Sequence, residues 1–214
     1  MIPEIKNVME GDMLYIIRHG QTELNTKMLM QGRSDYPLNE TGIAQAEEAA
    51  GRFAEMGVTI DKVYSSPLIR AVQTAEKIAP DAELIIDERL IEMDYGPYEG
   101  MDLRDPAPEV IDFFMDFVNV PAPDGMEPLP EVVARLGGFL DDIIFEAADS
   151  NILISTHAIA MKGALEYLTP GSQGSYWAKN IGNCDIYTSE VVDGSYTVPF
   201  CIDDGKDRWE GAKQ

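Results

Sequence analysis

The sequence predicts an α/β fold with a mostly parallel central sheet, because short apolar runs alternate along the chain with amphipathic helix patterns. Residues 13–17 (MLYII) and 151–155 (NILIS) are almost entirely apolar, as expected of strands buried on both faces. The chain has 214 residues, of which 45% are hydrophobic and 25% charged, so a globular domain with a large core is favoured over a disordered chain. The end of the chain alternates in polarity and predicts an antiparallel edge strand near the C-terminus.

Each remaining element is predicted from its own local pattern. Apolar residues at steps of three and four predict three helices: about 41–56, 132–144 and 158–168. Pro67 suits the first position of a further helix, which we expect to run to about residue 78. Strands are expected at four further places: 62–65, 82–86, 184–192 and 196–202. The last two strands would be joined by a turn at Asp193-Gly194.

The chain is strongly acidic, since 16 Lys and Arg against 38 Asp and Glu give a formal net charge of −22. This charge argues against binding to nucleic acid or to an anionic membrane surface, because both favour clustered basic residues. A phosphorylated substrate would therefore need a local positive pocket. The apolar runs are shorter than the roughly 20 residues that span a bilayer. Because the N-terminal residues also lack a signal-peptide pattern, we expect a cytoplasmic protein.

Two predicted strands end in unusual polar residues. Arg18-His19-Gly20 follows the first apolar run and Thr156-His157 follows the second, and the chain has no other histidine. A lone histidine at the end of a strand more often has a structural role. The carboxyl ends of parallel strands, however, meet at the same edge of the sheet, so these two histidines can share one crevice. Neither the histidines nor Cys184 and Cys201 have metal-ligand spacing, which argues against a zinc site. A neutral imidazole attacks phosphorus well when one ring nitrogen is held as a donor, and an adjacent guanidinium fits phosphate oxygens.

Five sequence blocks then follow one another in order along the chain. They are RHGQTELN (18–25), QGRSDYPL (31–38) with TG (41–42), SSPLIRAVQTA (65–75), LIEMDYG (90–96) and ILISTH (152–157). Together they resemble the histidine phosphatase superfamily, the phosphoglycerate mutase-like proteins, over about residues 13–190. The resemblance implies a three-layer α/β/α fold in a single domain. Its parts would be a core over about 13–202, a lid-like insertion over about 101–130 and a loose tail over 203–214.

The resemblance also implies a role for each matched residue. His19 would be the nucleophile that accepts the phosphoryl group, and Glu92 would protonate the leaving oxygen. The remaining matched residues would hold the ligand: Arg18, Arg70 and His157 its phosphate, and Asn25, Gln31 and Gly32 the rest of the substrate. No metal or other cofactor is implied.

Two positions within the matched blocks leave alternatives open. Glu88, Asp94 and Glu99 are close enough in sequence to compete with Glu92 for the acid role, and only its place within the block selects it. After the second histidine the family usually has glycine, whereas this chain has Ala158. An alanine keeps the backbone N–H if its φ and ψ are ordinary, so this difference concerns the shape of the phosphate pocket.

The family contains phosphatases, mutases and proteins without activity. Phosphoglycerate mutases have basic residues after the block that contains the acid (90–96 here, called the acid block below). In this chain the following residues 101–121 contain a single basic residue, Arg104. The apolar stretch 110–117 is either a helix face over the core or a substrate lid. We predict a metal-independent phosphomonoesterase that forms a phosphohistidine from a small phosphorylated metabolite. The alternatives are a phosphoglycerate mutase, a non-catalytic phosphate binder and a metal-dependent hydrolase. The sequence does not select a natural substrate or an oligomeric state, and a homodimer is one possibility.

Overall fold

The computed structural model describes residues 12–202, so the predictions for the N-terminal residues 1–11 and the loose tail lie outside the described residues. Within this range the strands are β1 (Met13–Arg18), β2 (Lys62–Ser65), β3 (Glu83–Ile86), β4 (Ile152–Thr156), β5 (Ile186–Val192), β6 (Ser195–Tyr196) and β7 (Phe200–Cys201). The α-helices are α1 (Glu23–Thr26), α2 (Glu40–Met56), α3 (Ile69–Ile78), α4 (Pro108–Met115), α5 (Leu129–Ala147) and α6 (Ala158–Leu168). None of the helices described is long and apolar enough to cross a membrane.

The strands form one mixed sheet in the order β3-β2-β4-β1-β5-β6, with β7 also paired to β5. The four strands β1 to β4 are parallel to one another, whereas β5 runs antiparallel to β1, β6 and β7. This confirms the predicted parallel core with antiparallel strands toward the C-terminal edge. In the register of β1 against β4, Arg18 stands beside Thr156, so the residues that follow these two strands emerge side by side.

Helices cover both faces of the sheet and make the predicted three-layer arrangement. Along β1, Leu14 and Ile16 belong to a core cluster that includes the apolar faces of α5 and α6. Tyr15 and Ile17 belong to a second cluster, which α2 and α3 complete. Alternate side chains of one strand are thus buried on opposite faces, which explains why this run is apolar throughout.

The predicted start of α3 at Pro67 is wrong. The helix begins at Ile69, because Leu68 is still extended, with φ −71° and ψ 132°. The N–H of Leu68 binds the hydroxyl of Ser66 at 3.3 Å, so a short turn separates β2 from the helix. This turn places the side chain of Ser66 at the carboxyl edge of the sheet.

The C-terminal strands differ from the prediction in two places. β5 begins at Ile186 and not at 184, since Cys184 has a left-handed φ of 58°. The single strand predicted over 196–202 is broken into β6 and β7, because Pro199 has no N–H to donate to the sheet. The turn at Asp193-Gly194 is confirmed, with φ values of 53° and 74° that suit a tight hairpin.

The region predicted as an insertion, 101–130, contains α4 and a long loop that leads into α5. Val110 and Phe113 of α4 are buried in the core cluster, whereas Met115 is exposed. The apolar stretch 110–117 therefore contributes one face to the core.

Candidate active site

The two histidines lie together at the carboxyl edge of the parallel strands, with ring centroids 5.1 Å apart. His19 follows β1, and its N–H binds the carbonyl of Thr156, the last residue of β4, at 2.9 Å. His157 follows β4 and is the N-cap residue of α6. Ser66 follows β2, on the other side of β4, and its N–H binds the carbonyl of Ser155 at 3.0 Å. Three neighbouring strands thus bring the residues at their ends into one crevice.

His19 is held in the tautomer that an attacking imidazole needs. Its Nδ1 lies 2.7 Å from the carbonyl oxygen of Gly20, which can only accept, so the ring hydrogen is on Nδ1. Nε2 therefore carries the lone pair. Burial, together with the charges of Arg70 and Arg18, lowers the pKa of His19 well below its usual value of 6.5. The ring is neutral at pH 7, and its Nε2 has the free lone pair that the predicted nucleophile requires.

His157 is held in the opposite tautomer. Nε of Arg70, which can only donate, binds its Nδ1 at 3.2 Å. The ring hydrogen is therefore on Nε2, which donates to the hydroxyl of Ser66 at 2.7 Å. Burial and the charge of Arg70 lower the pKa of His157 well below 6.5, so this ring is neutral too. Both ring nitrogens are engaged, so the phosphate contact of His157 stays a prediction and requires one of these bonds to open.

Arg70 is a fully buried cation that ties the site to the loop over residues 31–38. It lies in the first turn of α3 and has no exposed surface. Its Nη1 donates to the carbonyl of Ser34 at 2.7 Å and its Nη2 to the carbonyl of Gly32 at 2.6 Å. Burial lowers the pKa of Arg70 to about 10, which keeps the group charged at neutral pH. Nη1 and Nη2 each carry a second hydrogen, so two donors remain for phosphate oxygens.

A second guanidinium, that of Arg18, adds positive charge to the crevice. Its Nη1 donates to the carbonyl of Ile181 at 2.6 Å. Its Nε is buried and has no hydrogen-bond partner among the described residues. An unpaired buried donor on a charged group is costly, so this atom marks a favourable position for an anionic oxygen.

The three residues predicted to touch the rest of the substrate lie on loops beside the crevice. Asn25 belongs to a capping box of α1, where its Oδ1 accepts from the N–H of Thr22 at 3.1 Å, which leaves its amide NH2 as a donor. Gln31 accepts from the hydroxyl of Thr22 at 2.7 Å, and within residues 12–202 its buried Nε2 has no partner. Gly32 uses its N–H for the carboxylate of Glu99 at 3.0 Å. Their contacts with a substrate stay predictions.

Glu92 is 3% exposed and lies over the N-terminus of α6, directly after the second histidine. Its Oε1 accepts from the N–H groups of Met93 at 2.8 Å and Ala160 at 2.9 Å. Its Oε2 accepts from the N–H of Ile159 at 3.2 Å. Oε2 thus makes one long hydrogen bond, whereas Oε1 makes two shorter ones.

The three competing carboxylates are engaged elsewhere. The side chain of Asp94 is 41% exposed and pairs with Arg33 at 3.0 Å. Glu99 binds backbone N–H groups of the loop over 31–38, and Glu88 is exposed at the surface. The geometry therefore favours Glu92 for the acid role.

Sequence reasoning missed three residues whose side chains belong to this region. Ser66 orients the second histidine, and Tyr95 lies among the charges of the crevice. Burial and the Glu92 carboxylate raise the pKa of Tyr95 well above 10, and Arg18 opposes this shift. Burial lowers the pKa of Lys162 on α6 to about 8. Ser66 and Tyr95 lie inside sequence blocks that resemble the family, and this position could have identified them. No sequence pattern pointed to Lys162.

Ala158 is the first residue of α6, and its φ lies outside the left-handed region. An alanine at this position therefore presents the same N–H that a glycine would. The difference from the family pattern leaves the backbone of the site unchanged.

Because the chain has two histidines, NMR can follow both rings without ambiguity. We expect both rings to stay neutral at pH 6.5, where a free imidazole is half protonated. Below pH 6.5 the two histidines of the unfolded chain bind protons, whereas those of the folded chain stay neutral. The free energy of unfolding should therefore fall with decreasing pH, by up to about 1.4 kcal/mol per pH unit for each histidine. Ring ¹⁵N shifts recorded from pH 8 to 5 test this, and a midpoint at or above 6.5 for either ring would contradict it.

Comparison with known proteins agrees with this geometry. The model of the histidine phosphatase superfamily (branch 1) matches residues 14–203. The putative phosphoserine phosphatase 2 of Hydrogenobacter thermophilus is 33% identical over 178 residues, which cover 81% of this chain and 86% of that protein. The probable phosphoglycerate mutase GpmB of Cronobacter sakazakii is 34% identical over 154 residues, 69% of this chain and 70% of that protein. Three mycobacterial relatives at 31% identity are longer, and the matched region covers 52% of their length.

A solved structure gives the same result in three dimensions. The phosphoserine phosphatase of Entamoeba histolytica, in complex with 3-phosphoglyceric acid, matches with a TM-score of 0.75 and 28% identity. The match covers 89% of this chain and 95% of that one. Fold, site geometry and family model agree over nearly the whole described range, and the chain belongs to the histidine phosphatase superfamily.

Proposed function

We propose that this protein is a metal-independent phosphomonoesterase that transfers the phosphoryl group of a small phosphorylated metabolite to His19 and then to water. The observation that carries the proposal is the neutral His19 ring, whose Nε2 keeps its lone pair in a crevice with two guanidinium groups. These cations can neutralise the charge on the phosphoryl oxygens, as metal ions do in other phosphoryl-transfer sites. No group of three or more His, Cys, Asp or Glu within residues 12–202 is arranged to hold a metal ion.

In the first step, Nε2 of His19 attacks phosphorus and the bond between phosphorus and the ester oxygen breaks. Arg18, through its unpaired Nε, and Arg70, through its two remaining hydrogens, bind the phosphoryl oxygens. The leaving oxygen takes a proton from Oε2 of Glu92. Oε1 keeps its two backbone N–H bonds throughout, and the one from Ala160 anchors the acid to α6.

In the second step, water attacks the phosphorus of the phosphohistidine and the bond between nitrogen and phosphorus breaks. The Glu92 carboxylate accepts a proton from the attacking water, which restores the acid for the next cycle. His19 returns to its neutral form, and inorganic phosphate leaves.

The region after the acid block favours a phosphatase over a mutase. The region 101–121 has one basic residue, Arg104. The guanidinium of Arg104 donates to the carboxylate of Asp102 at 2.8 and 2.6 Å, and its side chain is 63% exposed. It is therefore committed at the surface and gives no support for holding a second charged group.

Hydrolysis of p-nitrophenyl phosphate in EDTA tests the proposal. We expect inorganic phosphate to be released at a rate that EDTA leaves unchanged, and a phosphohistidine to be trapped by an alkaline quench. Activity lost in EDTA and restored by a metal ion would show a metal-dependent hydrolase. Conversion of a phosphoglycerate to its isomer without release of phosphate would show a mutase.

Glu92→Gln should slow alkyl phosphates far more than aryl phosphates. A glutamine keeps the amide oxygen for the backbone N–H bonds but cannot donate the proton that an alkoxide leaving group needs, whereas a phenolate needs little protonation. We expect kcat/KM to fall about a hundredfold or more on an alkyl ester and less than about tenfold on p-nitrophenyl phosphate. Equal losses on both substrates would assign the acid role to another carboxylate, and Asp94→Asn is the matched control.

A further inference from the structure

A largely buried ion pair outside the proposed catalytic residues lies beside the segment that carries Glu92. Arg135 of α5 and Glu127, in the loop before α5, have side chains only 16% and 9% exposed. Nε of Arg135 donates to Oε1 of Glu127 at 2.7 Å, and Nη2 donates to Oε2 at 3.3 Å. The guanidinium therefore binds the carboxylate through two hydrogen bonds, a geometry that fixes the orientation of both planes.

Both partners also bind the backbone on either side of the acid. Nη1 of Arg135 donates to the carbonyl of Arg89 at 2.6 Å and to the carbonyl of Ile91 at 2.7 Å. Oε2 of Glu127 accepts from the N–H of Asp94 at 3.1 Å. The N–H of Glu127 donates in turn to the carbonyl of Asp94 at 2.8 Å. The chain is thus held immediately before the acid and two residues after it.

Close backbone packing joins the same two segments farther along. Gly96, with φ 51°, lies against the carbonyl of Gly125, with φ 88°, and a Cβ at residue 96 would overlap that carbonyl. Arg33 reaches both segments from the adjoining loop, at 3.0 Å from Asp94 and 3.5 Å from Glu127. The end of the 101–130 region and the acid block therefore form one packed unit.

We propose that Arg135 is a positioning residue for Glu92, a role that rests on the proposed function. The N–H donors of a guanidinium that is largely removed from water need acceptors in the protein. Of the four hydrogen bonds that Arg135 donates, two go to Glu127, one to the carbonyl of Ile91 and one to the carbonyl of Arg89. The bound carbonyl of Ile91 belongs to the peptide that leads into Glu92, so Arg135 sets where the carboxyl group meets the leaving oxygen. A correctly placed acid matters only when the leaving oxygen needs a proton, so Arg135 should affect substrates unequally.

The kinetic test is Arg135→Met, measured on an alkyl phosphate and on p-nitrophenyl phosphate. We expect kcat on the alkyl ester to fall about ten- to a hundredfold, because displacement of a catalytic group by about 1 Å costs that much. KM on the alkyl ester and kcat on the aryl ester should change less than about threefold. Added to Glu92→Gln, the same substitution should cause no further loss on the alkyl ester, because the acid is already absent.

Arg89→Met is the matched control. Arg89 stands in the same segment, but its side chain points to the surface, where it pairs with Asp87 at 2.7 Å and Asp142 at 2.6 Å. We expect this variant to keep the native ratio of alkyl to aryl rates. Arg135→Lys, which can still donate to one carbonyl, should recover part of the alkyl activity.

Amide hydrogen exchange gives a readout that does not depend on activity. If Arg135 places the Glu92 carboxylate, the N–H groups of Ile159 and Ala160 should exchange faster in Arg135→Met than in the native chain. Equal loss on both substrates together with unchanged exchange at these amides would overturn the positioning role. If Glu92→Gln itself shows no preference between the substrates, the proposed acid is wrong and the role of Arg135 falls with it.

Discussion

Replacement of His19 with alanine should reduce turnover of a phosphomonoester by at least about a thousandfold while the fold remains intact. No other described nitrogen combines a neutral imidazole, a free lone pair and two neighbouring guanidinium groups, since His157 uses both ring nitrogens. The ring of His19 donates to the adjacent carbonyl of Gly20, so its loss leaves one buried acceptor unpaired and should cost about 1–3 kcal/mol of stability. Steady-state rates and thermal unfolding measure the two effects.

Trapping of the phosphoenzyme makes the test specific for the nucleophile. The native chain, mixed with a ³²P-labelled substrate and quenched in alkali, should carry label on His19, and His19→Ala should carry none. Retention of more than a few per cent of the native rate by the variant would rule out His19 as the nucleophile. A label found instead on His157 would exchange the roles of the two rings.

Replacement of Arg70 with methionine should impair both catalysis and folding. The substitution removes a cation from the crevice and leaves Nδ1 of His157 and the carbonyls of Gly32 and Ser34 without their donor. We expect kcat/KM to fall at least about a hundredfold, since one lost donor to a developing oxyanion already costs that much. The free energy of unfolding should fall by about 2–4 kcal/mol, because several buried acceptors lose a charged partner. Urea denaturation and kinetics on p-nitrophenyl phosphate measure both.

Arg104→Met is the control for the loss of a positive charge. Its side chain is 63% exposed and, among residues 12–202, binds only the carboxylate of Asp102, so stability and kcat/KM should stay close to native. An Arg70→Met variant as stable as this control would mean that the buried bonds of Arg70 contribute nothing to folding. Native kcat/KM in the same variant would remove Arg70 from the phosphate site.

The elements that carry the site were predictable because local patterns decide them. The apolar runs of β1 and β4 end directly at the two histidines, and the carboxyl-edge rule for parallel sheets brings those ends together. The resemblance selected Arg70 and Glu92, and the structure places both beside the crevice. Buried strands followed by polar residues are a strong signal even in one sequence.

What the sequence could not reveal depends on contacts between distant residues. The tautomer of His157 is set by Arg70, and the acid block is held by Arg135 from a helix far along the chain. Nothing in the pattern around Arg135 distinguishes it from an ordinary helix-surface arginine. The strand breaks near Pro199 and the late start of α3 after Leu68 likewise follow from tertiary packing and turn geometry.

The pairing of β1 with β4 has a consequence for the protein while it is being made. About 140 residues separate His19 from His157 along the chain, although the two rings lie 5.1 Å apart in the fold. A ribosome adds about 5–20 residues per second, so His19 is synthesised roughly 7–30 s before its partner strand. Through that interval the backbone N–H of His19 lacks its partner in the fold, the carbonyl of Thr156. A nascent chain that stops short of β4 therefore lacks both His157 and the strand that places His19 at the crevice.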